Sequence, residues 1–148
     1  MSLIESRLYI GGYKQATDKK WLQDHSITDV LNCAYELQDI SYPHMHTVTY
    51  LGMRRDEREP LHTYLERAYH VLTRILRDAS KERNVLVHCS SGSSRACAVI
   101  LYYLMKLRGM SYYTASIHVK KMHEAYNVLQ RYRYQLYNLH PTVHYVHV

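Results

Sequence analysis

The sequence predicts an α/β fold in which a central, mainly parallel sheet is flanked by helices. Short runs rich in apolar and β-branched residues recur at 8–10, 27–34, 44–51 and 85–87, the composition of strands buried on both faces. Helical patterns separate them, most clearly at 61–76, where Leu61, Leu65, Ala68, Leu72, Ile75 and Leu76 fall on one face. Strands alternating with helices are the pattern of a parallel sheet joined by crossovers. At 148 residues the chain supports one domain, 1–148, with its own hydrophobic core.

Local signals justify each element in turn. Leu8-Tyr9-Ile10 runs into Gly11-Gly12, a strand followed by a turn. Asp18 is placed to cap a helix through Trp21 and Leu22 to His25. ITDVLNCA at 27–34 reads as a buried strand, and the loosely alternating 44–51 as another. The window 52–60, GMRRDEREP, is the most charged in the chain and reads as a loop. Pro60 then suits the first position of the next helix. After the strand at 85–87, the apolar run 96–105 reads as a buried helix, with Lys106 and Arg108 in its last turn and Gly109 just beyond. Ser111 can cap a helix reaching about Tyr126. A final helix over about 129–139 stops before Pro141.

The stretch VLVHCSSGSSRACAVILYYLMKLR, 85–108, holds the chemistry. A strand, a loop of small residues (Ser90, Ser91, Gly92, Ser93, Ser94) and a buried helix make an anion cradle, because loop N–H groups and the helix start converge on one point. Cys89 ends the strand beneath that positive potential, where a thiol is expected to ionise well below its usual pKa of about 8.5. Arg95, at the helix start, can grip two phosphate oxygens with its planar fork. A thiolate at the floor of a phosphate cradle is what phosphoryl transfer to cysteine requires. Transfer to Cys89 also needs a proton for the leaving oxygen, and Asp56, Glu57 and Glu59 are the acids available on the 52–60 loop. If the strand before that loop runs parallel to the one before Cys89, both loops leave the same edge of the sheet.

Composition narrows the remaining classes. No apolar stretch approaches the roughly 20 residues needed to cross a bilayer, and the first residues lack the pattern of a signal peptide. The expectation is an intracellular protein, cytoplasmic or nuclear, without a membrane partner. Cys33, Cys89 and Cys97 form no C-x-x-C pair, and an odd count argues against a disulfide framework. The net charge of +6 favours anionic partners. Apart from Arg54-Arg55-x-x-Arg58, Lys120-Lys121 and Arg131-x-Arg133 its basic residues are spread out, so nucleic acid is a weak inference and phosphorylated, acidic substrates explain the balance equally well. Sixteen Tyr and no Phe put tyrosine into core positions, with hydroxyls reaching outward for partners.

The segment His88-Cys89-x5-Arg95, with Gly92 in its loop, resembles the protein tyrosine phosphatase signature. The wider chain is similar to dual-specificity phosphatase catalytic domains of the small, atypical type. LYIGGYKQA, ITDVLNCA, YYLMKLRGMSYYTA and Tyr132-x-x-Gln135-Leu136 carry that likeness, the last where the family often has Phe-x-x-Gln-Leu. The resemblance implies a protein tyrosine phosphatase-like fold and hydrolysis of phosphotyrosine and phosphoserine/threonine through a phosphocysteine. Cys89 would be the nucleophile, Arg95 the clamp and Asp56 the acid. Backbone N–H groups from Ser90 to Arg95 would hold the phosphate. It further implies a phosphorylated protein as substrate, with no metal and no organic cofactor; oligomeric state is left open.

Two departures from the family pattern bear on turnover. Ser91 replaces the common Ala, a tolerable change. Ala96 stands where the family commonly has Ser or Thr, whose hydroxyl can stabilise the departing thiolate, so slower phosphoenzyme hydrolysis is expected. That keeps a catalytically weak phosphoprotein-binding module on the same fold as the alternative. A rhodanese-type sulfurtransferase is disfavoured by the apolar helix after Arg95 and the acidic loop upstream. The serine and glycine loop, free of lysine, favours phosphoprotein over phosphoinositide or RNA. His88 is expected to orient the loop without acting as base. The eleven histidines, including His44-x-His46, His140, His144 and His147, read as solvent-facing or core residues.

Overall fold

Val85–His88 is the central strand around which the sheet is laid, and it carries the loop of interest at its end. The computed structural model describes residues 2–56, 60–78 and 82–139. In chain order the elements are β1 (Ser2–Glu5), β2 (Leu8–Gly11), α1 (Tyr13–Ala16), α2 (Lys19–Asp24) and β3 (Asp29–Ala34). A single 3-10 turn, Tyr35–Leu37, leads to β4 (Thr47–Met53), α3 (Leu61–Leu76) and β5 (Val85–His88). The chain then forms α4 (Arg95–Arg108), α5 (Tyr112–Met122) and α6 (Gln130–Asn138).

The sheet order is β1-β2-β5-β3-β4, with β1 antiparallel to β2 and every other pair parallel. Val85 lies opposite both Leu8 and Asp29, and His88 opposite both Gly11 and Asn32. The carboxyl ends of β2, β5 and β3 therefore meet at Gly11, His88 and Asn32. β4 pairs parallel with β3, so its loop emerges at that same edge.

β5 is buried throughout, and its side chains serve two cores. Val85 and Val87 join Leu8, Ile10, Leu31 and Cys33 in the larger core beneath α3 to α6. Leu86 joins Ala16, Leu22, Ile27 and Val30 on the other face. This alternation is the period-2 geometry of a strand covered on both sides. α4 is buried from Arg95 to Met105, as expected of a helix that is apolar nearly all round. Gly109 closes it at φ 67°, the left-handed conformation that glycine adopts without steric cost.

Buried tyrosines answer part of the compositional puzzle. Tyr64, Tyr103 and Tyr132 are core residues. Tyr42 and Tyr102 are also buried and spend their hydroxyls on His88 and on Glu66. At the opposite edge of the sheet, Arg83 binds the buried Asp29 at 2.6 and 3.1 Å and Asp78 at 3.0 Å.

Several boundaries differ from the sequence reading. β1 and α1 were not expected: four residues each give little periodic signal, and neighbouring elements hold both in place. β4 spans 47–53 instead of 44–51, because His44 takes φ +67° and parallel pairing begins only at Thr47 opposite Asp29. Pro60 is the N-cap of α3 and not its first residue. α5 ends at Met122, four residues short of Tyr126, because the chain turns extended at His123 to cross the Cys89 loop. Asp18 and Ser111 cap α2 and α5 as expected, accepting from Trp21 N and Thr114 N at 3.0 Å each.

Candidate active site

Cys89 follows directly on β5 and is only 2% exposed, at the floor of the loop 90–94. At the loop's crest Gly92 has φ +72°, and a Cβ there would lie 2.7 Å from the Gly11 carbonyl carbon and oxygen. Glycine is required twice over, by conformation and by space. Packing this close sets the loop against the turn after β2, where Tyr13 N donates to the Ser90 carbonyl at 2.8 Å. On its other flank Asn127 N donates to the Ser93 carbonyl at 2.9 Å, and Leu129 N to the Ser94 hydroxyl at 3.1 Å.

The sulfur of Cys89 accepts from Ala96 N at 3.5 Å. Ala96 offers no hydroxyl, but its amide, in the first turn of α4, faces the sulfur.

Arg95 is 5% exposed, with its guanidinium folded back over the loop. Nη1 donates to Glu36 Oε1 at 2.7 Å and to the Met53 carbonyl at 2.9 Å. Nη2 donates to Glu36 Oε2 and, at 3.5 Å, to Ser90 Oγ. Ser90 Oγ in turn donates to Glu36 Oε2 at 2.6 Å, and Arg55 lies 3.3 Å from the same oxygen. The Arg95 guanidinium holds the Glu36 carboxyl down to about 2. Glu36 lies in the 3-10 turn after β3, so the parallel sheet delivers it to the same edge as Cys89.

His88 is fully buried and works through a relay. Asn32 Nδ2 donates to the Tyr42 hydroxyl at 3.1 Å, and that hydroxyl lies 2.6 Å from His88 Nε2. The other nitrogen, Nδ1, lies 3.3 Å from the Cys89 carbonyl. A carbonyl only accepts, so Nδ1 carries the proton and Nε2 accepts from Tyr42. Burial pushes the His88 pKa down to about 4, which keeps the ring neutral.

The sequence-derived candidates are thus partly assembled. Cys89, the loop 90–94 and Arg95 converge, and the loop bearing Asp56 begins against them through the Met53 carbonyl. Asp56 is half-exposed (51%) and accepts from Arg54 Nε at 3.0 Å. Arg54 stacks 4.3 Å above the Tyr35 ring. Glu57 and Glu59 lie outside the described residues, as do His140, His144 and His147. Cys33 and Cys97 are free, buried thiols in the core. No group of three or more His, Cys, Asp or Glu suited to a metal occurs among the described residues. Nor is any helix among them long and apolar enough to cross a membrane. Glu36, Asn32 and Tyr42 escaped sequence reasoning. Their one signal was position, since Asn32 lies within, and Glu36 just after, a strand parallel to the one carrying Cys89.

The chain belongs to the dual specificity phosphatase catalytic domain family, whose description it matches over residues 8–141. It is 33% identical over 120 residues to dual specificity protein phosphatase 1 of Arabidopsis thaliana, covering 80% of this chain and 58% of that protein. It is 32% identical over 126 residues to a probable rhodanese domain-containing dual specificity protein phosphatase of Dictyostelium discoideum, covering 84% of this chain and 25% of that protein. The chain therefore spans less than two thirds of either relative. Among solved structures it is similar to human DUSP28, with a TM-score of 0.83, 21% identity, and coverage of 98% of this chain and 99% of that one. That likeness shows the protein tyrosine phosphatase-like fold.

Proposed function

We propose that this chain hydrolyses phosphate monoesters on proteins, phosphotyrosine and phosphoserine/threonine alike, through a phosphocysteine. Cys89 Sγ attacks phosphorus, forming the S–P bond while the P–O bond to the substrate breaks. Asp56 protonates the departing oxygen, and its carboxylate then takes a proton from the water that attacks the phosphocysteine. Phosphate leaves and the Cys89 thiolate returns. Arg95 and the loop N–H groups from Ser90 onward hold the equatorial oxygens throughout. No cofactor takes part in these steps.

The observation that carries this reading is the placement of Cys89 Sγ on the Ala96 N–H, within a loop that Arg95 closes. It disfavours the binding-module alternative, which needs the cradle but not a sulfur supported for attack. Membership of the phosphatase family disfavours the sulfurtransferase. Buried free thiols at 33, 89 and 97 suit a reducing, intracellular setting, cytoplasmic or nuclear, as part of the same proposal.

The test is turnover of a small aryl phosphate, then of phosphopeptides, in reductant and chelator. Wild type should turn over, Cys89→Ser should not, and Asp56→Asn should lose most activity on substrates with a poor leaving group. Undiminished turnover by Cys89→Ser overturns the mechanism.

A further inference from the structure

A loop that turns its N–H groups inward on a phosphate must turn its carbonyls outward, and each buried carbonyl then needs a donor. In the Cys89 loop those donors are identifiable. The Ser90 carbonyl receives Tyr13 N, and the Ser93 carbonyl receives Asn127 N. The Gly92 carbonyl receives a side chain: His123 Nε2 lies 2.7 Å away, and the Cys97 thiol donates weakly from 3.6 Å. His123 is 2% exposed and immediately follows α5, at the point where that helix ends early.

The Gly92 carbonyl shares a rigid peptide plane with the Ser93 N–H. Fixing the oxygen outward fixes that N–H toward the cradle. Among the described residues the Ser93 N–H makes a long bond to Ser91 Oγ, 3.3 Å, which a phosphate oxygen can replace. Gly92 sits at φ +72°, where glycine has no Cβ to hold the plane by packing. The constraint must come from outside the loop.

We propose that His123 is a positioning residue for the phosphate site, its Nε2–H anchoring the Gly92 carbonyl so that the Ser93 N–H faces the substrate phosphate. This rests on reading the Cys89 loop as the phosphate cradle, and it adds a residue 34 positions downstream of the cysteine. His123 touches no reacting atom, so its effect runs through anion affinity and the transition state that shares those oxygens.

The discriminating pair is His123→Gln and His123→Met, similar in length and flexibility, of which only Gln keeps an amide donor. Orthovanadate inhibition, direct vanadate binding, kcat/KM and Tm are measured on both variants and wild type. His123→Gln should retain vanadate affinity within about twofold, whereas His123→Met should lose about tenfold in both vanadate affinity and kcat/KM. A His123→Met protein that binds vanadate as tightly as His123→Gln, even with a lowered Tm, overturns the proposal and leaves His123 a packing residue. If His123→Met does not fold, the Gln variant decides alone: retained affinity supports the anchor and lost affinity overturns it. Should wild type bind vanadate yet fail to turn over phosphate esters, the reaction proposed above fails while the binding arms still judge the anchor.

Discussion

Arg95 donates to both oxygens of Glu36, with the Nη1 to Oε1 distance at 2.7 Å, and to the Met53 carbonyl at 2.9 Å. One carboxylate from the turn after β3 and one carbonyl from the end of β4 thus hold the buried cation in place before substrate arrives. Under the proposed mechanism a phosphate would meet an arginine whose side chain is already oriented, so little rotamer freedom would be lost on binding.

Glu36→Gln keeps the shape and removes the charge. Arg95 becomes a poorly matched buried cation, and kcat/KM should fall about tenfold. Steady-state kinetics on an aryl phosphate checks this; unchanged or improved kcat/KM would mean that Glu36 only competes with substrate for the guanidinium.

His88 sets an acid limit on stability. Its folded pKa is depressed to about 4 from the ordinary 6.5, because burial disfavours the charged ring. The unfolded chain therefore binds the proton first as pH falls. The stability from keeping His88 neutral is fully present above 6.5 and is lost progressively down to about 4, amounting to about 3 kcal/mol. Tm should drop steeply between pH 6.5 and 4, and His88→Gln should flatten that window. Equal slopes in wild type and variant would refute it.

Gly92→Ala places a Cβ 2.7 Å from the Gly11 backbone at φ +72°. Backbone cannot step aside as a side chain can, so the change costs on the order of 3 kcal/mol. Vanadate binding should vanish while far-UV circular dichroism stays native, because only the loop is displaced. Intact vanadate affinity would count against this geometry.

Ala96→Ser supplies a hydroxyl beside the sulfur that Ala96 N already contacts at 3.5 Å. A second donor stabilises the thiolate as leaving group, so the steady-state rate should rise while the initial burst rate stays put. A matching rise in both, or in neither, rules out slow phosphoenzyme hydrolysis as the consequence of Ala96.

Much of this protein could be read from local sequence. The strand at 85–88, the loop after it and the buried helix behind Arg95 are one contiguous stretch, and contiguous chemistry is legible because spacing along the chain is spacing in space. The caps at Asp18 and Ser111 and the left-handed Gly109 were equally local. Sequence by itself determined the sheet class and the order in which Cys89, the small-residue loop and Arg95 follow one another.

The tertiary structure decided what holds that stretch in working shape. Glu36 reaches Arg95 across 59 positions, Tyr42 reaches His88 across 46, and His123 reaches Gly92 across 31. None of these three has a local pattern that marks it, and each side chain alone is an ordinary polar residue. Their partners are set by parallel strand pairing and by where α5 stops, and those depend on burying the sheet from both sides. Hydrogen bonds between distant residues follow from packing, and packing is a property of the whole chain.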